Sequence, residues 1–531
     1  MTVKITEGER NGAAPAGAQA PDVNAGRVGS RLKFFLEKTA CRPVRQKRRQ
    51  RSPVLLDEIL APAVSFAIAC LRGTAPRPAQ KFLMESAWND LRRDLSKRLA
   101  FALTPTLHLQ QNVAKAVAHS SRPIGQNGER RLALQNDTTL LETIIEFPDL
   151  LETAARLISV WIDAQRELFT RLLRDRADLC STFLRARQPF RVTHIRARLS
   201  DPHDGAKTAT MIEFVKRRRV IYKPRLSAGE ELWFEAVRWL NGNGLRVSFR
   251  VPKMLSRRSY FWMEFLQTKG CENPTAVRLF YFRWGVQAAL AQILGATDLH
   301  RDNWLAVGAQ PILVDAELIG DAEPTLFRGK SNSKHPQCLP ALLQTGLLPF
   351  TSRDHAGFYR GIAPLDATLP KAAPPNCWPR CGRVAQEPSR YVNDLVSGFE
   401  VVAEVFGAPR AAQRFFREVV LQTAGRDQRV LLRATAQYAR LLRESFDARN
   451  MISAGDRWRH LVRECCASAA NRRVGLAEAC ALLRCDIPKF TRRRNARPVS
   501  WKIFSAATAE LKSSSRFLRS RVVLGAGPRR S

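Results

Sequence analysis

The residues best placed to do chemistry crowd into positions 296–319, ATDLHRDNWLAVGAQPILVDAELI, which hold Asp298, His300, Asn303, Asp315 and Glu317. After His300-Arg-Asp-Asn303, the apolar pair Leu305 and Ala306 runs into the turn Gly308-Ala-Gln-Pro311, and Ile312, Leu313 and Val314 then deliver Asp315. Two short apolar segments joined by a Gly/Pro turn predict a β-hairpin. Its ends would bring an amide oxygen and two carboxylates together, the hard oxygen set that Mg²⁺ takes beside water and phosphate. Asp298 would then sit where a base can take a proton from a hydroxyl. An acid, a histidine and an asparagine followed by a hairpin and an aspartate have the order of a kinase catalytic loop and its metal-binding residue. Taken alone, Asp298-Leu-His300 would pass as a surface turn; the order of all the parts gives it meaning.

Phosphoryl transfer also needs a cation on the nucleotide phosphates. In Val220-Ile221-Tyr222-Lys223-Pro224-Arg225 a β-branched strand ends on Lys223, where a buried ammonium can act as a compact point charge. Leu232, Phe234, Val237 and Leu240 then recur at helical spacing, and Glu230, Glu231 or Glu235 is a candidate partner for Lys223. Residues 260–266, YFWMEFL, read as an apolar strand. Neither G-x-G-x-x-G nor G-x-x-x-x-G-K-[ST] occurs, so neither common phosphate cradle is present.

The surrounding chain must position these groups. With 531 residues and 45% apolar content it can bury a large core divided among several lobes. Residues 1–52 lack a helical or strand period, and six of the ten positions 42–51 are cationic, so this segment is expected to be a disordered basic arm. A helical region is expected over 53–195, in which Leu150, Ala154, Leu157, Trp161, Leu168 and Leu172 mark a long amphipathic helix. The catalytic core is expected over 196–364, a Pro-rich loop over 365–390, a second helical region over 391–495 and a tail over 496–531, frayed from Ser513 onward. No apolar run reaches membrane-spanning length and no signal-peptide core is present, which points to a cytoplasmic chain without a membrane partner. The cysteines, including Cys377 with Cys381 and the adjacent Cys465-Cys466, lack the paired spacing of a zinc site.

At the level of motifs the chain resembles the dehydratase domain of class II lanthipeptide synthetases, the LanM enzymes. The resemblance rests on YKPR (222–225), YFWMEF (260–265), TDLHRDN (297–303), ILVDAEL (312–318) and LLQTGLLP (342–349). It continues through RVLLRAT (429–435) with Tyr438, and through Glu478 followed by Cys485-Asp-Ile-Pro488-x-Phe490, with fainter similarity at Phe147-Pro-Asp-Leu150 and Arg171-Leu-Leu-x-Asp175. It implies an α+β fold whose two-lobed catalytic core is lipid-kinase-like, with additional helical regions. It also implies an enzyme that phosphorylates Ser and Thr of a precursor peptide with ATP and Mg²⁺, then eliminates phosphate to leave dehydroalanine or dehydrobutyrine.

On that resemblance Lys223 touches the nucleotide phosphates, Asp298 orients or deprotonates the hydroxyl, Asn303 and Asp315 hold the metal, and His300 and Glu317 support the loop. Elimination needs a second acid–base set and a cation on the departing phosphate. The resemblance assigns it to Asp201 and His203 of Asp201-Pro-His203, with Arg429 and Thr435. Read without the family, Asp201-Pro-His203-Asp-Gly205 is an ordinary turn. Likewise Arg429, Arg433, Arg440 and Arg443 would be the solvated face of a helix backed by Val430, Leu431, Leu441 and Leu442.

Some positions depart from the family pattern. Ser200 stands where glycine is expected before Asp201, Phe261 takes a glycine position of a Tyr-Gly-Trp motif, and Ala316-Glu-Leu-Ile follows Asp315. The zinc-dependent cyclase half of LanM enzymes has no counterpart in this sequence, so ring closure would fall to a separate cyclase. The net charge of +38 suits an acidic leader peptide or a phosphate backbone. The arginines are spread along the chain and match no nucleic-acid-binding module, which ranks nucleic acid last after coding habit and leader attraction. Two alternatives stand beside the dehydratase: a peptide kinase of the same fold without elimination, and a non-catalytic partner that holds the precursor peptide.

Overall fold

The computed structural model describes residues 23–40, 56–119, 146–184, 189–245, 247–319, 341–349, 363–367, 369, 374–423, 427–430, 432–493 and 501–524. The chain divides into two units, each made of segments distant in sequence. One comprises Ile5–Pro224 and Arg433–Lys489; the other comprises Met1–Lys4, Arg225–Leu432 and Phe490–Ser531. The break between Pro224 and Arg225 falls within the stretch expected to form the catalytic core. Helices and small antiparallel sheets are mixed throughout, so the fold class is α+β.

The first unit opens with helix α1 (Val23–Ala40), which corrects the expectation that residues 1–52 lack structure. Its Leu32 and Leu36 are buried, and Gly29 lies against Ala155. Four-residue spacing of leucines in so short a basic segment was too weak a period to read without the surface it covers. Residues 1–22 and 41–52 lie outside the described residues. Helices α2 (Leu56–Thr74), α3 (Glu85–His119) and α4 (Pro148–Arg174) follow. Helix α4 starts on Pro148 with Asp149 in its first turn and ends on Arg171 and Arg174, the polarity that suits the helix dipole. All six of its expected apolar positions are buried, and α1 packs along it. Strands β1 (Val192–Arg196), β2 (Thr210–Phe214) and β3 (Arg218–Lys223) form an antiparallel meander, in which Ile212 faces both Ile195 and Val220.

In the second unit, α5 (Ala228–Gly242) buries Leu232, Phe234, Val237 and Leu240, as their spacing predicts. Strands β4 (Met254–Ser256) and β5 (Phe261–Glu264) pair antiparallel. Helix α6 (Pro274–Ile293), capped by the Asn273 side chain on Ala276 N–H, is buried nearly all round. Strands β6 (Trp304–Val307) and β7 (Gln310–Leu313) form the expected hairpin, although Pro311 lies within β7 opposite Ala306 rather than in the turn. Helix α7 (Val392–Gly407) crosses α6 closely: a Cβ at Gly285 would meet Leu395 O at 1.8 Å, and one at Gly398 would meet Phe282 O at 1.9 Å.

Strand β8 (Asp427–Val430) carries Arg429, so this arginine stands on a strand and not on the helical face considered from the sequence. The chain then returns to the first unit as α8 (Thr435–Ser445), α9 (Asp456–Ser468) and α10 (Arg472–Leu483). There Asp149 of α4 accepts hydrogen bonds from Gly455 N–H (2.9 Å) and Arg457 N–H (3.0 Å), tying the two parts of that unit together. Back in the second unit, β9 (Phe490–Arg493) pairs with β8, placing Thr491 opposite Arg429. The terminal helix α11 (Leu511–Leu524) buries Leu511, Leu518 and Val522 and packs on α7, which corrects the expectation of a frayed tail through residue 524. Among the described residues no helix is long and apolar enough to cross a membrane.

Candidate functional site

Aromatic packing beneath the hairpin of the second unit gives it a rigid base. Trp304 at the start of β6 is fully buried against Trp284 of α6 (4.2 Å between centroids) and Trp233 of α5 (5.9 Å). From α6, Arg283 donates to Ala309 O at 2.7 Å and Gln287 to Pro311 O at 2.6 Å, so the turn and β7 are held from below.

The loop before β6 presents the candidate base. Asp298 has φ 61°, a left-handed conformation that costs a non-glycine residue energy and persists only where neighbours impose it. Here Thr297 N–H donates to Leu318 O (2.8 Å) and Leu299 N–H to Thr345 O (2.9 Å). The buried LLQTGLLP segment thus acts as a support for this loop. Burial raises the Asp298 carboxyl to about 6; Asp315 and Glu317 push in the same direction, while His300 and Arg429 oppose it. His300 caps the following turn, its Nδ1 accepting from Asp302 N–H at 3.3 Å.

Asn303 donates Nδ2–H to the Asp298 carbonyl at 2.8 Å, which directs its amide oxygen elsewhere, and its own carbonyl accepts from Val314 N–H at 2.8 Å. Those two bonds link the loop before the hairpin to the segment after it, so Asn303 and Asp315 are anchored to the same scaffold. An amide oxygen and a half-buried carboxylate are hard ligands that fit Mg²⁺. Among the described residues no group of three or more His, Cys, Asp or Glu is arranged to hold a metal ion.

Arg225 is the group that sequence reasoning overlooked. Its guanidinium donates Nη1–H to Glu230 at 2.8 Å and Nη2–H to Asp315 at 2.5 Å, and pairs with Glu317 through Nε. Burial alone would lower its pKa, but Asp315, Glu230 and Glu317 outweigh it and raise the value well above the usual one. Glu230, weighed above as a partner of Lys223, is completely buried and forms a two-pronged pair with Arg225. Glu231 accepts from Ser227 Oγ at 2.7 Å, and Glu235 pairs with Arg238 at the surface. Phe261, one of the departures from the family pattern, lies under the guanidinium with 5.2 Å from Cζ to the ring centroid. Helix α5 reaches this cluster because position 229 is glycine: a Cβ there would meet Ala316 O at 1.8 Å. The only sequence signal for Arg225 was its place at the end of YKPR.

Arg429 joins the same cluster, pairing with the Glu317 carboxylate opposite Arg225. The second unit therefore gathers Asp298, His300, Asn303, Asp315, Glu317 and Arg429, together with Arg225 and Glu230. Arg429, assigned by the resemblance to elimination, also pairs with Glu317 of the phosphoryl-transfer set.

The first unit holds the remaining candidates. Lys223 ends β3 and is buried, and the neighbouring Tyr222 hydroxyl bonds Arg171 of α4. Asp201 and His203 lie on a tight turn in which His203 and Lys207 exchange backbone hydrogen bonds of 2.9 and 3.0 Å. Ser200, where glycine was expected, donates Oγ–H to Asp201 O at 3.1 Å and accepts from Ala209 N–H at 2.9 Å, which closes the approach to that turn. Thr435 begins α8, beside a buried network in which Glu478 accepts from Arg433 Nε (2.8 Å) and the Tyr438 hydroxyl (2.7 Å). Arg440 and Arg443 stay on the solvated face of α8.

Comparison with known proteins gives two findings. Residues 147–365 and 364–493 match the domain of unknown function DUF4135. A stretch of 166 residues is 22% identical to the lacticin 481/lactococcin biosynthesis protein LcnDR2 of Lactococcus lactis subsp. lactis, covering 29% of this chain and 18% of that protein. The match thus spans less than a fifth of the relative's length. The family region, by contrast, takes in most of the chain and every candidate residue from Asp201 to Thr435, and the chain belongs to the DUF4135 family.

Proposed function

We propose that this protein is a lanthipeptide-type dehydratase that phosphorylates Ser and Thr of a precursor peptide with Mg-ATP and then eliminates phosphate, on a two-lobed lipid-kinase-like core. The observation that carries the reading is the gathering of Asp298, Asn303, Asp315 and Glu317 around one braced hairpin, with two arginines on the carboxylates. Similarity to a lacticin 481/lactococcin biosynthesis protein supports peptide modification as the setting.

Asp298, with its carboxyl near neutral pH, accepts the hydroxyl proton as the hydroxyl oxygen bonds the γ-phosphorus and the bond to the ADP oxygen breaks. Asn303 and Asp315 would hold Mg²⁺, which supplies charge neutralisation on the phosphates. Lys223 is assigned to the nucleotide phosphates. Arg225 and Arg429 fix the Glu317 carboxylate, and Arg225 shares Asp315. Asp201, His203 and Thr435, with Arg429, are assigned to elimination. The partner is a precursor peptide with an acidic leader, and the chain works in the cytoplasm.

A peptide kinase that stops at the phosphorylated product is the second reading, favoured by the engagement of Arg429 with Glu317. The test is intact-mass spectrometry of a Ser/Thr-rich precursor peptide encoded near this gene, incubated with the full chain and Mg-ATP. Loss of water is expected from the dehydratase and retained phosphate from the kinase. Asp315→Asn or Lys223→Ala should abolish both products; wild-type rates in either variant would remove the phosphoryl-transfer reading.

A further inference from the structure

We propose that Asp486 is a positioning residue for His203, clamping its turn so that the imidazole is held as the Nδ1–H tautomer with Nε2 as its basic atom. This deepens, and rests on, the assignment of Asp201 and His203 to elimination.

The turn is one that the chain does not adopt unaided. Asp204, Gly205 and Ala206 all lie at positive φ, 48°, 86° and 60°, and two of the three are not glycine. Such a run turns consecutive N–H groups to one side, and here they meet a carboxylate. Asp486 Oδ2 accepts from Gly205 N–H at 2.6 Å and Oδ1 accepts from Ala206 N–H at 2.7 Å. Each oxygen takes one donor, a pattern that a carboxylate can satisfy and a carboxamide cannot. Asp486 is 1% exposed, so these bonds are not exchanged with water.

The same loop reads the histidine itself. Ile487, next to Asp486, donates its N–H to Pro202 O at 2.8 Å, and its carbonyl lies 2.7 Å from His203 Nδ1. A carbonyl only accepts, so Nδ1 carries the proton and the neutral ring keeps its lone pair on Nε2. Lys489 Nζ bonds Asp204 at 3.0 Å, and Arg98 donates to Ala206 O at 3.2 Å, so two further side chains hold the turn. Nε2 is then the ring atom able to accept the α-proton of a phosphorylated residue. The C–H electron pair becomes the C=C bond as the C–O bond to phosphate breaks, and phosphate departs with the C–O bonding pair. The imidazolium so formed keeps its Nδ1–H bond to Ile487 O.

The test uses the full chain, wild type and with Asp486→Ala or Asp486→Asn. Elimination is followed on a synthetic phosphoserine form of the precursor peptide, and phosphorylation on the unmodified peptide with Mg-ATP. In parallel, ¹⁵N-histidine NMR reads the His203 tautomer without any substrate, with His203→Gln identifying the resonance. We expect the Nδ1–H tautomer in the wild type and a mixture in Asp486→Ala. Elimination should fall roughly tenfold or more, as when other groups that orient a reacting residue are removed, while phosphorylation stays within about twofold. Asp486→Asn, which keeps one acceptor, should lie between the two. An Nε2–H ring in the wild type, or unchanged elimination in Asp486→Ala, would overturn the proposal. Parallel loss of both activities, or of the cooperative melt, would reduce Asp486 to a structural residue and overturn it equally. If the wild type modifies neither peptide, the dehydratase reading fails, and the NMR comparison alone still decides whether Asp486 sets the tautomer.

Discussion

Replacing Arg225 by alanine would leave three acidic groups of the second unit without their shared cation. The Arg225 side chain is 11% exposed, and those of Glu230, Asp315 and Glu317 are 0%, 30% and 13% exposed. Asp315 can recover water, and Glu317 keeps Arg429, whereas the completely buried Glu230 loses its two-pronged pair with Arg225. Removing one partner of a buried ion pair costs about 3–5 kcal/mol, most of it the penalty of the charge left behind. For a unit of about 250 residues, each kcal/mol moves Tm by about 2–4 °C, so Arg225→Ala should melt about 6–20 °C lower than wild type. Arg225→Lys keeps the charge but loses the fork that spans three carboxylates and the flat face over Phe261, and should fall between the two. The double variant Arg225→Met with Glu230→Leu removes both buried charges and should regain most of the loss. Scanning calorimetry of the full chain measures all four proteins. A shift below about 2 °C for Arg225→Ala, or a double variant no better than the single one, would refute this account of the cluster.

Three further outcomes are expected. Arg429→Ala removes one of the arginines on Glu317, so phosphorylation should fall roughly tenfold along with elimination; unchanged phosphorylation would mean that the contact with Glu317 is idle. Leu32→Ala should cost about 2–5 kcal/mol, because this side chain of α1 is 0% exposed, and deleting residues 1–52 should lower Tm; an unaltered urea midpoint would show that α1 contributes nothing to the core. Burial lifts the Asp486 carboxyl from 3.8 to about 6 against the pull of its two backbone N–H bonds. The folded state therefore holds this proton more tightly than the unfolded chain. Wild type should lose up to about 3 kcal/mol of stability relative to Asp486→Asn as pH rises from about 4 to about 6, with no further change above; a difference moving the other way in urea titrations at both ends of that window would contradict it.

Much of the local architecture was legible before any coordinates. Three-four spacing marked α4 and α5, and a β-branched run ending before proline marked β3. The apolar–turn–apolar pattern marked the hairpin of β6 and β7, apart from the side on which Pro311 falls. The α+β class came from the resemblance to the LanM dehydratase domain and agrees with the mixture of helices and small sheets. What failed was the reading of short or sparse patterns. Helix α1 has few apolar positions amid glycine and charge, and α11 lies in a serine-rich stretch, so each becomes a helix only against the surface it buries.

The site divides along the same physical line. Residue types and order within 296–319 pointed to candidate base and metal ligands, because those groups are close in sequence and a two-residue turn brings them together. Their partners were not legible. Arg225 meets Asp315 across 90 residues, Arg429 meets Glu317 across 112, and Asp486 meets Gly205 across 281. No local period relates such positions. An arginine in the sequence can equally end in solvent or against any carboxylate, and burial selects among those fates by the cost of leaving a charge dry and unpaired. The sequence by itself determined the strongly periodic helices, the hairpin and the chemical inventory. Only the tertiary structure decided which charge neutralises which, since that choice is made when water is excluded and the segments are already packed.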